Sequence, residues 1–246
     1  MTGRPNEGSL VLLRHGQSTA NAANLFTGIL DPELSTVGTD EARAAAGLLS
    51  THGLVPDAVL VSPLRRAGQT AAIVADELGL PTGTVAVDWR LNERNYGALT
   101  GRRKDDVRAE SGEAQFLAWR RSVDTAPPAM SDEQLAGFAD TALFRGLPAR
   151  ALTRTESLRD VMHRVAPFHT ERVLPLLAAG QSVLVVAHGN SLRAYCAVIE
   201  NLDKPAIHRL NLPTGHPLVY RAGDRHYLDT ARAEAAALAL TLEGGT

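Results

Sequence analysis

The chain has 246 residues, 44% of them hydrophobic, which is enough for one α/β domain with a well-buried core, although length alone leaves two small domains open. A formal net charge of −2 excludes a broad basic field for nucleic acid or an anionic membrane surface, so any anion must be held by local clusters. The single cysteine, Cys196, excludes an internal disulfide and a Cys-rich zinc site, fits a reducing cytosol and is expected to pack as a small hydrophobe.

In chain order, the segment Met1 to Ser9 is polar and lacks the apolar stretch of a signal peptide, and no later run approaches the roughly 18 apolar residues that span a bilayer. A cytoplasmic location is therefore expected. Ser9-Leu-Val-Leu-Leu-Arg14 reads as a buried strand that stops at Arg14-His15-Gly16. Thr39 to His52 has alanine and leucine at helical spacing. Asp57-Ala-Val-Leu-Val-Ser62 reads as a second strand, and after Pro63 the segment Leu64 to Leu78 reads as a helix with Arg65 and Arg66 in its first turn.

From Asp88 to about Ala151 the alternation lapses. This stretch holds Asn92-Glu-Arg-Asn-Tyr-Gly97, a charged helix-like run to Arg121, then Pro127, Pro128 and Pro148, and is read as an insertion over the active face of a single domain spanning 1–246. Leu158 to Leu177 reads as one helix. Ser182-Val-Leu-Val-Val-Ala187 is a further strand, ending at His188-Gly189-Asn190 and followed by a helix over Ser191 to Ile199. The tail, 229–246, is alanine-rich and helix-prone to Leu242, with Gly244-Gly245 expected to fray. No internal repeat is evident, and alternating strands and helices predict a layered α/β fold.

The first and last of these strands share one pattern, a strand followed by histidine and glycine. A lone histidine after a strand is commonly a hydrogen-bonded loop residue, so either unit alone says little. Two of them, with Arg14 and Arg66 at comparable strand ends, say more: in a parallel sheet both histidines emerge at the C-terminal edge, where α/β sheets place their chemistry. Phosphoryl transfer needs positioning and neutralisation of charge spread over the phosphoryl oxygens, which arginine forks supply. A neutral imidazole can attack phosphorus if an acceptor fixes its other nitrogen, and a carbonyl in the Gly16 to Ser18 loop could serve. No Walker loop or dense carboxylate cluster points to a metal. The other histidines, 52, 163, 169, 208, 216 and 226, show no repeated ligand spacing and are expected to be non-catalytic.

The residues resemble the histidine phosphatase superfamily, and within it the 2,3-bisphosphoglycerate-dependent phosphoglycerate mutases. The resemblance runs through Leu13-Arg-His-Gly-Gln-Ser18, Asn21, Phe26-Thr-Gly28, Ser62 to Ala67, Leu91 to Gly101, Trp119-Arg-Arg-Ser122, Glu156-Ser-Leu158, Ala187 to Arg193 and Leu212-Pro-Thr-Gly215. Arg-His-Gly marks only the superfamily, whereas the Asn-Glu-Arg-Asn-Tyr-Gly and Trp-Arg-Arg segments are far more specific to the mutases. It implies a three-layer α/β/α sandwich with a mainly parallel sheet, and interconversion of 3-phosphoglycerate and 2-phosphoglycerate in glycolysis and gluconeogenesis. The bisphosphate would be the primer and no metal would be needed.

By that resemblance His15 is the phosphorylated nucleophile, gripped with its phosphoryl group by Arg14, Asn21, Arg66 and His188. Glu93 is the proton donor and acceptor; one carboxyl shuttling a proton meets a mutase's need to deprotonate one hydroxyl and reprotonate another. Arg94, Tyr96, Lys104, Arg120 and Arg121 bind the far end of the substrate, although Arg102 or Arg103 could reach inward in place of Lys104, and a solvated helix face is the plainer alternative. Thr27, Gly28, Gly189 and Asn190 offer hydroxyl, amide and backbone N–H contacts, and Ser18 is a weaker candidate. Gln17 stands where the family usually has glutamate, Ala20 where it commonly has tryptophan, and Thr27-Gly28-Ile29 replaces Thr-Gly-Trp. Residues 130–152, running through Met130, Phe138 and Phe144, replace a proline- and tyrosine-containing charged loop. The alternative activity is a phosphatase of the same superfamily acting on a small phosphorylated metabolite; a non-catalytic anion binder would leave nucleophile, acid and base idle. The partner implied is a small phosphoglycerate, with neither nucleic acid nor membrane, and the family suggests a homodimer or homotetramer.

Overall fold

The apolar run after Gly8 forms strand β1 (Leu10–Arg14), followed by β2 (Ala58–Val61), β3 (Val85–Val87), β4 (Val183–Ala187), β5 (Leu218–Arg221) and β6 (Asp224–Tyr227). In this computed structural model, which describes residues 8–242, 244 and 245, the strands make one sheet in the order β3-β2-β4-β1-β5-β6. The first four of that order run parallel, and β5 and β6 are antiparallel additions at one edge.

Between the strands lie α1 (Thr19–Ala22), α2 (Thr36–Thr51), α3 (Arg65–Glu77), α4 (Lys104–Ser111), α5 (Glu113–Arg121), α6 (Asp132–Ala139) and α7 (Ala142–Arg145). Then come α8 (Leu158–Phe168), α9 (Leu174–Ala178), α10 (Gly189–Glu200), α11 (Lys204–Arg209) and α12 (Thr230–Leu242). Alternate strand residues face opposite ways, so Leu10, Leu12, Val183 and Val185 pack against Val161, Val165 and Tyr195 of α8 and α10. Val11, Leu13, Leu184 and Val186 pack against Ala45, Leu49, Ala71 and Val74 of α2 and α3. The result is the predicted three-layer sandwich, with helices on both faces of a mainly parallel sheet.

Several elements differ from what the sequence predicts. β3 has only three residues, and β5 and β6 form a hairpin whose turn places Ala222 (φ 52°) and Gly223 (φ 82°) in the left-handed region, the geometry that matches strand twist. The helix expected over 158–177 divides into α8, a π turn over His169–Val173 in which the Leu174 N–H reaches the His169 carbonyl, and α9. Pro175 cannot donate to the carbonyl four residues back and its ring would strike it, which the wider turn accommodates. The charged run to Arg121 breaks at Gly112 (φ 77°). Gly245, expected to fray, is buried, and its carbonyl accepts a hydrogen bond from Arg120.

Candidate active site

Register brings the site together. Arg14 of β1 pairs with Ala187 of β4, so the residues that follow, His15 and His188, leave the sheet side by side, with the His15 N–H donating to the Ala187 carbonyl at 3.0 Å. Their rings meet edge to face with centroids 4.9 Å apart. From the end of β2 come Ser62 and, in the first turn of α3, Arg66; from the end of β3, a single 3-10 turn (Trp89–Leu91) leads to Asn92 and Glu93. All four parallel strands thus deliver polar side chains to one edge.

The loop after β1 is locked by close backbone packing. A Cβ on Gly16 would lie 2.1 Å from the Gly38 carbonyl oxygen in α2, and one on Gly38 would lie 2.0 Å from the Gln17 oxygen, so neither position admits a side chain. Glu41 of α2 accepts from the Gln17 N–H at 2.6 Å and from the Thr214 hydroxyl at 2.8 Å. His15, 2% exposed, is held at Nδ1 by the Gly16 carbonyl oxygen at 2.6 Å, which makes Nδ1 the protonated nitrogen and leaves the lone pair on Nε2. Arg66 donates Nε–H to that Nε2 at 3.1 Å and spends its two terminal nitrogens on the carbonyls of Leu30 (2.7 Å) and Gly28 (2.9 Å). Burial, reinforced by the charges of Arg66 and Arg14, pushes the His15 pKa well below the ordinary imidazole range. Burial likewise draws Arg66 down to about 10, which keeps it charged at neutral pH.

His188 is fully buried and also held neutral, by burial first and then by Arg66 and His15. Ser62 Oγ donates to Asn92 Oδ1 at 3.0 Å and therefore accepts from His188 Nε2 at 2.9 Å. His188 Nδ1 is then the unprotonated nitrogen, with no hydrogen-bond partner among the described residues.

Beside the histidines is a small cavity lined by Arg14, Asn21, Thr27, Gly28, Glu93, Tyr96, Lys104, Arg120 and Asn190. Among the described residues Glu93 is the one carboxylate in that lining, against three cations, so the cavity favours a ligand carrying several negative charges. Its Oε1 accepts from the Arg94 N–H at 2.7 Å and its Oε2 from the Asn190 N–H in the first turn of α10 at 3.3 Å. The Asn190 side chain donates to the Tyr96 hydroxyl at 3.0 Å. Burial alone would raise the Tyr96 phenol, but Arg94 and Arg120 bring it below its ordinary value. Among the basic neighbours 102–104 only Lys104 lines the cavity; Arg102 pairs with Glu110 and Arg103 with Asp105.

Seven of the residues singled out from sequence lie outside that lining: His15, Arg66 and His188, whose contacts are given above, and Arg94, Arg121, Ser18 and Gly189. Arg94 donates to the carbonyls of Trp119 (2.7 Å) and Arg120 (3.3 Å) at the end of α5, its guanidinium carbon 4.6 Å from the Tyr96 ring centroid. Arg121 reaches Asn211 Oδ1 at 2.9 Å and the carbonyls of His208 and Leu210. The Ser18 hydroxyl caps α1, donating to Asn21 Oδ1 at 2.9 Å and accepting from the Asn21 N–H at 3.2 Å. Gly189 opens α10 behind Asn190.

Sequence reasoning missed Arg193, which is fully buried and donates to the Arg121 carbonyl at 2.9 Å, the Asn190 Oδ1 at 3.2 Å and the Arg120 carbonyl at 3.4 Å. It also gave no role to Ser62 and Asn92. Arg193 stands one helical turn after Asn190 and Ser62 one residue past a strand end, which are the signals that could have found them.

The family profile described as histidine phosphatase superfamily (branch 1) matches residues 10–143 and 138–227. The chain is similar to the 2,3-bisphosphoglycerate-dependent phosphoglycerate mutase of Thermobifida fusca, at 45% identity over 244 residues, covering 96% of this chain and 99% of that one. It is 42% identical over 246 residues to the enzyme of the same name from Corynebacterium efficiens, covering 97% of this chain and 98% of that one. Among solved structures it is similar to a mycobacterial glucosyl-3-phosphoglycerate phosphatase, with a TM-score of 0.67 and 30% identity, covering 86% of this chain and 92% of that chain.

Proposed function

This chain belongs to the histidine phosphatase superfamily, branch 1, and we propose that it interconverts 3-phosphoglycerate and 2-phosphoglycerate through a phosphohistidine on His15. The observation that carries the reading is the pairing of a neutral His15, its Nε2 lone pair turned to Arg66, with a lone carboxylate, Glu93, in a cation-lined cavity. The names of the mutase relatives support it.

In this reading His15 Nε2 attacks phosphorus, the N–P bond forming as the P–O bond to the departing oxygen breaks, and Glu93 gives that oxygen its proton. In the other half Glu93 takes the proton of an incoming hydroxyl, whose oxygen attacks phosphorus as the N–P bond breaks. Arg14, Arg66 and Asn21 hold the phosphoryl oxygens, while His188, its Nε2–H taken by Ser62, packs edge to face against the His15 ring; Lys104, Arg120, Tyr96 and Asn190 hold the substrate's far end with Thr27 and Gly28 alongside. Arg94, Arg121, Ser18 and Gly189 act one step back, by fixing these groups. The cavity's excess of cations suits 2,3-bisphosphoglycerate, which when bound supplies the phosphoryl group that primes His15.

We further propose a cytoplasmic enzyme working as a single domain, residues 88–151 and the tail covering the site, with the homodimer or homotetramer resting on the family alone. No described helix is long and apolar enough to cross a membrane.

The phosphatase reading is favoured by one observation, the likeness to a phosphatase structure at 30% identity. A coupled assay for 2-phosphoglycerate formation, with and without catalytic bisphosphate and beside a measurement of released phosphate, separates the two. Fast, primer-dependent isomerisation with little phosphate released is expected; phosphate release without isomerisation would make the protein a phosphatase that keeps His15 as nucleophile.

A further inference from the structure

Outside the cavity lining, against the main chain of Glu93, lies a buried ion pair with no part in the chemistry described above. Arg164 of α8 and Glu156, just before that helix, are 9% and 8% exposed at the side chain and meet fork to fork, Nε to Oε1 at 2.9 Å and one terminal nitrogen to Oε2 at 3.1 Å. The pair does not close on itself. Glu156 Oε2 also accepts from the Asn95 N–H at 2.9 Å, while Arg164 donates to the carbonyls of Arg90 at 2.5 Å and Glu93 at 3.3 Å. The Glu156 N–H in turn reaches the Asn95 carbonyl at 3.0 Å. The backbone on both sides of Arg94 is thus pinned, by Arg164 of α8 and by Glu156 just before it, and the Glu93 carboxylate, which leans on the Arg94 and Asn190 N–H groups, has its main chain held by Arg164.

We propose that Glu156 and Arg164 are positioning residues for the acid–base step: their pair orients the loop that aims the Glu93 carboxylate at the reacting oxygen. The proposal rests on the acid–base reading of Glu93. Its bidentate geometry and its direct bonds to the loop's main chain distinguish the pair from a generic buried bridge. Displacement of a reacting group by about 1 Å can cost roughly 100-fold in rate, so such a brace matters without touching substrate.

The test is a cycle of variants in the full chain: Glu93→Gln, the paired change Glu156→Gln with Arg164→Met, and all three together. Changing both partners avoids leaving one buried charge uncompensated. The paired variant is expected to lose about 10- to 100-fold in kcat with KM moving less than about 3-fold, and inorganic phosphate is expected to raise the thermal unfolding midpoint of variant and parent alike. In the Glu93→Gln background the paired change should cost less than about 2-fold more, because the group it positions is already gone. Arg164→Lys should recover only part of the rate, keeping charge without the fork.

Losses that multiply, or a folded paired variant with parental kcat, overturn the proposal. Should the paired variant fail to fold, Glu156→Gln alone, which keeps shape and a hydrogen-bonding oxygen, is put through the same cycle, and the same two results overturn the proposal there. If Glu93→Gln alone leaves kcat unchanged, it is the acid–base reading that fails, and that result is separate from the other two.

Discussion

Arg66 Nε–H points at Nε2 of His15 across 3.1 Å, while the Gly16 carbonyl holds Nδ1 at 2.6 Å. The ring lone pair is therefore the one Arg66 covers, and in the proposed reaction an arriving phosphoryl group would take the place between them. The guanidinium then faces the oxygens on which charge develops.

Arg66→Ala is expected to lower the rate of His15 phosphorylation by about 100- to 1000-fold, the usual cost of removing a preorganised donor to developing charge. Arg66→Lys should recover little, because one ammonium cannot serve His15 and the Leu30 and Gly28 carbonyls together. Rapid-quench measurement of the phosphoenzyme, with circular dichroism to confirm folding, checks both.

Burial and nearby arginines hold His15 and His188 neutral in the fold, with pKa values well below 6.5. Below about pH 6.5 the unfolded chain binds protons at these positions that the native chain does not, so stability is full above that pH and falls as the pH drops toward the folded values. Each histidine contributes a slope approaching 1.4 kcal/mol per pH unit in that window. Urea denaturation from pH 7.5 to 5 should show the loss, and His188→Gln should flatten it. Over the same range His15 stays unprotonated, so phosphoenzyme formation should not fall with imidazole protonation near pH 6.5.

Arg94 and Arg120 lie far apart in sequence yet share one helix end, with opposite consequences for mutation. Arg94 is fully buried and bonds the carbonyls that close α5, so Arg94→Met should cost about 2–3 kcal/mol of stability through the lost charged hydrogen bonds. Arg120 lines the cavity, so Arg120→Met should raise KM by roughly 10-fold or more with a smaller effect on stability. Denaturation midpoints set beside steady-state constants separate the two roles.

Gly16→Ala would drive a methyl to 2.1 Å from the Gly38 oxygen in a main chain locked on both sides. A loss of about 3 kcal/mol is expected, together with reduced phosphorylation, because the displaced loop carries the carbonyl that fixes the His15 tautomer. Thermal unfolding and phosphoenzyme yield at saturating donor measure the two effects.

Two departures from the family pattern, distant in sequence, meet in space. Ile29 packs with Met130 and Phe144, and Phe138, Leu143, Leu147 and Leu152 close around them. The apolar residues of 130–152 thus form a small core under the loop that carries Gly28. Each looks like an isolated oddity in the sequence, and only the fold makes them one feature.

Strands ending in histidine and glycine, a neutral imidazole served by arginines, and the family itself were legible in the sequence because local rules govern them. Apolar runs of strand length must be buried, and chemistry follows the residue types at their ends. Sequence could not tell which arginines face the ligand. Arg94, Arg120, Arg121 and Arg193 carry the same group; the directions of the last three depend on how α5 and α10 rotate about their axes as they pack, and that of Arg94 on where its loop meets the end of α5. Two of them cap helix carbonyls, one turns to Asn211 and one lines the cavity. The Glu156–Arg164 brace and the Ser62–Asn92 bond were hidden for the same reason: each is a hydrogen bond between segments whose meeting is decided by side-chain packing over the whole sheet.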